Sequence, residues 1–405
     1  MNKIIINKPV IKKQGDRSYL VSKVEDGVLK TEKDYFFSVQ EEFGDYLTHE
    51  VADAFLCAML TPAILTGQNI VVKAPISEVL YYNLENSLIY TLCKVFNKSS
   101  IKVSAESLIT PDFKPKAVST GFSGGVDSFT TVIQHTSDEC PDSLKLTHLS
   151  LMNVGSYGDT DAAFSKFEND SIRSKEYAEK LKLPLVLINS NIGSAYLRNE
   201  CEFERGFASR TIISLISGIL SLQKLYKYYF ISSSRTIDKI KLIPSNQDYY
   251  EYLVADFLST TNTRSIIANG DMDRISKIQH IVDYKDVQDR LYVCASDIYN
   301  EKHARVYNKD GFPNCSECVK CTRTMIVLDL LGKLDLFKYR FNLRKYEHLK
   351  PGIIEEIYCK RKVNFTSNLI YSFMSEIKYT IPVRLKLKYN SLRLLNKSFQ
   401  ILFNR

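Results

Sequence analysis

The chain has 405 residues, 44% of them hydrophobic and 25% charged, which is room for two or three domains and excludes a disordered or fibrous protein. No run approaches the roughly 18 uninterrupted apolar residues of a membrane-spanning helix. The formal net charge is +8, so an acidic partner or substrate needs consideration.

The first residues mix Lys and Ile without an apolar stretch long enough for a secretory signal. Strand-like runs at 3–6, 35–39 and 70–72 alternate with helical stretches near 50–65 and 77–96. Nothing in 1–112 has catalytic spacing, and the segment reads as a separate α+β domain.

From residue 116 onward strands and helices alternate. Strands are expected near 116–120, 146–153, 184–189 and 228–233, and helices near 128–136, 162–182 and 207–224. The stretch 211–222 is apolar but broken by Ser214, Ser217, Gly218 and Ser221, as in a buried helix. Such alternation is the pattern of a parallel sheet with helices on both faces, and ligands lie beyond the carboxyl ends of its strands. Those ends are Ser119 to Ser128, Met152 to Val154, Asn189 to Asn191 and Ser232 to Arg235.

The first of these ends carries the strongest signal. Residues 119–128 read Ser-Thr-Gly-Phe-Ser-Gly-Gly-Val-Asp-Ser, between a strand and the helical spacing of Phe129, Val132 and Ile133. Gly124 and Gly125 allow the backbone to approach an anion, and the unpaired amides and dipole of the next helix favour negative charge. Ser123 and Ser128 add hydroxyls. Asp127 would repel a bare phosphate, which points to Mg²⁺ between carboxylate and phosphate. An N-capped helix after a Gly-rich loop is the plainer alternative. No Gly-x-x-x-x-Gly-Lys-Ser/Thr run is present, which argues against a Walker-type phosphate site.

The run from Ser123 through Gly124, Gly125, Val126 and Asp127 to Ser128 resembles the signature of the PP-loop ATP pyrophosphatases. That family includes asparagine synthetase, GMP synthetase, tRNA-thiolating enzymes and 7-cyano-7-deazaguanine synthase. The resemblance implies an α/β, parallel-sheet catalytic domain of the adenine nucleotide alpha hydrolase-like (HUP) type over 113–330. It also implies ATP held with its β,γ-pyrophosphate in this loop, and attack of a substrate oxygen on the α-phosphorus. Met152 and Asn153, after the second strand, become adenine-side candidates. Asp127, Ser128, Arg205 and Arg235 become the catalytic candidates, with Arg210 as a further basic group; each arginine alone also reads as a surface residue.

Cys315, Cys318 and Cys321 stand three apart, and Cys294 lies 21 residues before the first of them. Four thiolates close a tetrahedral Zn²⁺ site, usually a structural one, while an iron–sulfur cluster is the competing reading. The other five cysteines, Cys57, Cys93, Cys140, Cys201 and Cys359, are isolated and expected to be buried small side chains. Nine cysteines in a chain of this size, three of them crowded into seven residues, suggest metal binding in a reducing cytoplasm. The quartet is similar to the zinc site of the 7-cyano-7-deazaguanine synthases. Their Gly-Tyr-Pro-Asp-Cys-Arg-like run is missing, and the nearest region reads Leu-Ile-Pro-Ser-Asn-Gln-Asp-Tyr over 242–249. The segment 259–277, with Arg264, Asp271, Arg274 and Lys277, is a further candidate contact for an anionic substrate.

A basic helical extension is expected over 331–405. Within it, residues 338–405 carry 15 Lys and Arg against four Glu, a balance of +11 that leaves −3 on the rest of the chain. Leu385, Tyr389, Leu392, Leu395, Phe399 and Leu402 share one helical face. Such a helix packs on its own protein or a sister subunit in a homo-oligomer, contacts RNA phosphates, or lies on an anionic membrane. The sequence is thus expected to encode an ATP-dependent, AMP-forming enzyme that adenylates a carboxylate or amide-like oxygen of a small molecule for attack by a nitrogen nucleophile. A tRNA- or nucleobase-modifying enzyme and a non-catalytic ATP-sensing assembly protein are the alternatives.

Overall fold

The computed structural model describes residues 3–158, 160–196, 210–294 and 311–385. The chain divides into two compact units, Met1–Asp273 and Arg274–Arg405. The first is α/β, with a large, mostly parallel mixed sheet in the order β11-β10-β7-β8-β9-β4-β3-β1-β5-β6, and β2 paired to β3.

Its strands are β1 (Lys3–Asn7), β2 (Val10–Gln14), β3 (Arg17–Asp26), β4 (Thr31–Gln40), β5 (Asn69–Ser77), β6 (Val103–Ile109), β7 (Ala117–Gly121), β8 (His148–Asn153), β9 (Leu185–Ser190), β10 (Tyr226–Ser232) and β11 (Arg264–Ala268). The helices are α1 (Asp53–Thr66), α2 (Glu78–Asn83), α3 (Ile89–Phe96), α4 (Val126–Thr136), α5 (Asp161–Leu181), α6 (Thr211–Leu220) and α7 (Glu251–Phe257). The second unit holds α8 (Arg274–Ile281), α9 (Lys285–Arg290), α10 (Val319–Leu330), α11 (Leu343–Lys360) and α12 (Phe365–Glu376).

Strands β7, β8, β9, β10 and β11 pair in parallel, and their order 3-2-1-4-5 is that of a doubly wound, Rossmann-like sheet. Strands β7, β8 and β9 are buried almost throughout, as strands covered on both faces must be. The connection reverses direction between β7 and β10, so a crevice is expected at their carboxyl ends.

The segment 1–112 is not a separate domain. Phe37 pairs with Ser190 and Ser38 with Asn189, so antiparallel β4 extends the sheet beyond β9. Side chains lengthen this short seam. The Gln40 amide donates to Leu185 O at 2.8 Å and accepts from Leu187 N at 2.9 Å. Asn191 accepts from Phe36 N at 2.8 Å, and Arg17 donates to Leu187 O at 3.0 Å. Helix α1 packs on α6, and both are apolar nearly all round, so each buries the other.

The expected boundary near 330 also moves. The division at 273/274 sets all four quartet cysteines in the second unit, whereas the Gly-Gly loop belongs to the first. Residues 386–405, which hold most of the proposed amphipathic face, lie outside the described residues, as do Cys201 and Arg205. Among the described residues no helix is long and apolar enough to cross a membrane.

Candidate functional site

Strand β7 ends at Gly121, and α4 begins after four intervening residues, so the Gly-Gly run is a tight strand-to-helix turn. Gly124 adopts φ +76°, a left-handed conformation that glycine takes without steric cost. Gly125 then precedes α4 in extended conformation and, as its N-cap residue, brings no side chain to the helix amides. An aromatic cluster holds the turn from beneath: the Phe122 ring stacks on Tyr177 at 4.5 Å and meets Phe129 edge-on at 5.0 Å. Each such pair contributes about 1 kcal/mol beyond simple burial. The Phe122 amide also donates to Ser150 O at 2.8 Å, fixing the turn against β8.

A cavity of about 250 Å³ opens at this point, at the carboxyl ends of β7, β8 and β10. Ser123, Asp127 and Ser128 line it from the turn, Met152 from β8, and Tyr229 and Ser232 from β10. This is the crevice the strand order calls for. The Ser128 hydroxyl donates to Gly125 O at 3.0 Å, so it stiffens the turn and offers the cavity an acceptor. Ser232 is held at 2.7 Å by Thr131, which in turn donates to Asn269 at 2.7 Å. Burial pushes the Tyr229 phenol well up, so it stays protonated against Ser150 at neutral pH.

The other sequence candidates fall differently. Val126 is buried beneath the turn. Asn153 is fully buried and its amide is committed: it donates to Gly158 O at 2.9 Å and Asn189 Oδ1 at 2.8 Å and accepts from Gly155 and Tyr157 amides. It shapes the loop after β8, and Met152 alone of that pair lines the cavity. Arg235 does not line the cavity; its guanidinium stacks at 3.8 Å on the Tyr249 ring. Arg210 is buried where β8 and β9 end, 3.4 Å from Gly193 O. There the backbones of Gly155 and Gly193 approach so closely that a Cβ on either would meet the other at 3.0–3.1 Å. Arg264 is exposed in β11, a strand that was not expected because its five residues carry a weak pattern.

In the second unit Cys294, Cys315, Cys318 and Cys321 place their sulfurs within 4.8 Å of one another. The Cys294–Cys318 and Cys315–Cys321 separations are 3.9 and 3.8 Å. Four sulfurs each about 2.3 Å from a tetrahedral metal stand about 3.8 Å apart, whereas disulfide sulfurs are bonded at about 2.05 Å. Ser316 at φ +62° turns the chain so that the Cys318 amide donates to Cys315 Sγ at 3.2 Å. Cys318 stands at the N-cap position of α10 and Cys321 in its first turn, where the helix dipole favours thiolates. Asn314 ties the two arms together, donating to Leu291 O at 3.0 Å and accepting from Val293 N at 2.8 Å. Hydrogen bonding with Cys294 and Cys318 pushes the Cys315 and Cys321 thiols up, and a cation among the four sulfurs would offset the repulsion between thiolates. Of the isolated cysteines, Cys57 and Cys93 are buried as expected, while Cys140 and Cys359 are partly exposed.

The chain was compared with protein-family models, curated proteins and solved structures, and none of the three gave a match.

Proposed function

We propose that the protein is an ATP-dependent, AMP-forming enzyme of the PP-loop type, which adenylates a carboxylate or amide-like oxygen of a small substrate. The observation that carries this reading is the left-handed Gly124 turn, with glycine at the α4 N-cap, opening on a cavity at the switch point of the sheet. In the reaction a substrate oxygen bonds to the α-phosphorus as the bond to the bridging oxygen breaks and pyrophosphate leaves. A nitrogen nucleophile then displaces AMP. The turn's amides and the Ser123 hydroxyl bind and orient the departing pyrophosphate, so the rate comes from alignment and charge stabilisation. Asp127, beside Ser123 and Ser128, offers the oxygen donors a Mg²⁺ ion takes, and that ion would offset phosphate charge. Met152 forms the wall on which an adenine would rest.

The sulfur quartet fits structural Zn²⁺ in geometry and donor set, and a site of four thiolates suits a reducing cytoplasm. Metal analysis of the pure protein should give near one zinc per chain; iron with visible absorbance would replace zinc by an iron–sulfur cluster. The reaction is tested by incubating the protein with labelled ATP and Mg²⁺, with and without cell metabolites. AMP and pyrophosphate are expected. ADP and phosphate would defeat adenylation, and tight ATP binding without any turnover would make the protein an ATP sensor.

A further inference from the structure

The segment 259–277 acts on the cavity through a residue without charge. Asn269 follows the end of β11 and adopts φ +59°, a left-handed conformation that asparagine takes more readily than most residues. Its carbonyl accepts from the Ser233 hydroxyl at 2.8 Å and from the Met272 amide at 3.2 Å, which fixes its backbone against the end of β10. The side chain is buried and reaches α4. Its Nδ2 donates to Gln134 Oε1, and its Oδ1 accepts from the Thr131 hydroxyl at 2.7 Å.

The protons along this chain decide what the cavity meets. Thr131 is fully buried and has one hydroxyl proton. Asn269 Oδ1 has none to give, and at 2.7 Å it is a closer acceptor than the Asp127 carbonyl at 3.2 Å. Thr131 therefore donates to Asn269, and in its 2.7 Å contact with Ser232 it accepts. The Ser232 hydroxyl gives its proton to Thr131, which leaves its lone pairs for the cavity that it lines. Ser128 stands in the same state, its proton given to Gly125 O at 3.0 Å. The Asp127 carboxylate lines the same wall. Phosphate oxygens are acceptors as well, so these three groups do not bind them directly. They suit a ligand that is positively charged and donates hydrogen bonds in several directions, as Mg²⁺ does through the waters it retains.

We propose that Asn269 and Thr131 are positioning residues, which hold the Ser232 hydroxyl as an acceptor for the hydrated Mg²⁺ of the ATP site. The assignment rests on the ATP reading and adds to Asp127 a contact from the end of β10 that is set from β11. Neither Asn269 nor Thr131 lines the cavity, so each acts through Ser232.

The test is calorimetric titration of the full chain with α,β-methylene-ATP, an analogue that cannot release pyrophosphate, once in Mg²⁺ and once in EDTA. S232A should bind the analogue about fivefold more weakly in Mg²⁺, the usual loss for one hydrogen bond, and as the parent does in EDTA. T131V, equal in shape, and N269G, in which glycine keeps the backbone conformation, leave the Ser232 hydroxyl in place but unoriented. Each should lose about two- to threefold in Mg²⁺ alone. T131S returns the hydroxyl and should return the affinity. Because Thr131 acts through Ser232, S232A/T131V should bind no more weakly than S232A. Ser232 lies at the cavity surface, so S232A decides the matter even where a buried variant fails to fold. Equal losses in Mg²⁺ and in EDTA would make the cluster a packing device and overturn the proposal. S232A binding like the parent in Mg²⁺ would overturn it too, and both results leave the ATP reading standing. A parent chain that does not bind the analogue at all would defeat the ATP reading, and this assignment with it.

Discussion

At the scale of single residues, Gly124 sets the handedness of the turn. An alanine there must hold φ +76°, a conformation costing an L-residue about 1–2 kcal/mol. Gly124→Ala is expected to weaken ATP binding about tenfold in calorimetry while leaving the zinc content unchanged. Unaltered ATP affinity would remove the turn from nucleotide binding. Asp53 offers a second residue-scale test. It is fully buried and accepts from the Ser77 amide at 2.8 Å, the Ser77 hydroxyl and the Gln223 amide at 2.8 Å. Gln223 in turn accepts from Thr260 at 2.8 Å, so one carboxyl joins α1, the end of β5 and the loops flanking α7 and β10. Desolvation raises the Asp53 carboxyl despite these hydrogen bonds. The folded state therefore holds this proton to higher pH than the unfolded chain, for which the value is about 3.9. Folded protein binds more protons, so stability from this group falls as pH rises above about 4 through the raised value. Asp53→Asn lacks that loss. In urea titrations its stability relative to the parent should rise as pH climbs from about 4 through the raised value and then level off, and a constant difference would show that Asp53 does not titrate in the fold.

At the scale of elements, α6 is pressed onto β8 through Gly218. A Cβ there would meet Val154 Cγ1 at 2.9 Å and Met152 Sδ at 3.2 Å. Alanine gains about 1 kcal/mol of helix propensity over glycine, while overpacking a closed core costs about 1–3 kcal/mol. Val154 is buried and β-branched, so it cannot yield, and the packing cost should win. Gly218→Ala should melt a few degrees below the parent and, by displacing Met152, weaken adenine-nucleotide binding. A higher melting temperature would mean that α6 has room to shift. This packing also shows what the sequence could disclose. The β7–turn–α4 unit, the β8 and β9 strands and the Cys-x-x-Cys-x-x-Cys run are local patterns, and each was legible as written. The joining of β4 to β9 was not. It rests on two backbone pairs between residues about 150 apart, completed by Gln40, Asn191 and Arg17 side chains whose partners no local pattern reveals. Asn153 misled for the same reason. Polar residues at a strand end look alike in sequence, and only the fold shows that this one is committed to Gly158 and Asn189 while Met152 faces the cavity.

At the scale of the whole molecule, the division at 273/274 separates two sources of stability. The first unit rests on a continuous sheet and an apolar cluster that runs from Ile4 to Leu258. The second has no strand among its described residues, and the sulfur quartet ties the 291–294 segment to α10. Binding of structural zinc to such a site contributes apparent free energies of about 10–16 kcal/mol in isolated metal modules, as large as the whole stability of a domain. Stripping the metal should therefore act on one unit. Treating the protein with a thiol-reactive mercurial, or replacing Cys321 with serine, should release the metal and move one of two calorimetric transitions down strongly while the other stays in place. The stationary transition should still respond to ATP, since the Gly124 turn lies in the sheet-bearing unit. A single transition that shifts as a whole would mean that the two units unfold together, and no shift at all would mean that the four thiols hold no structural ion.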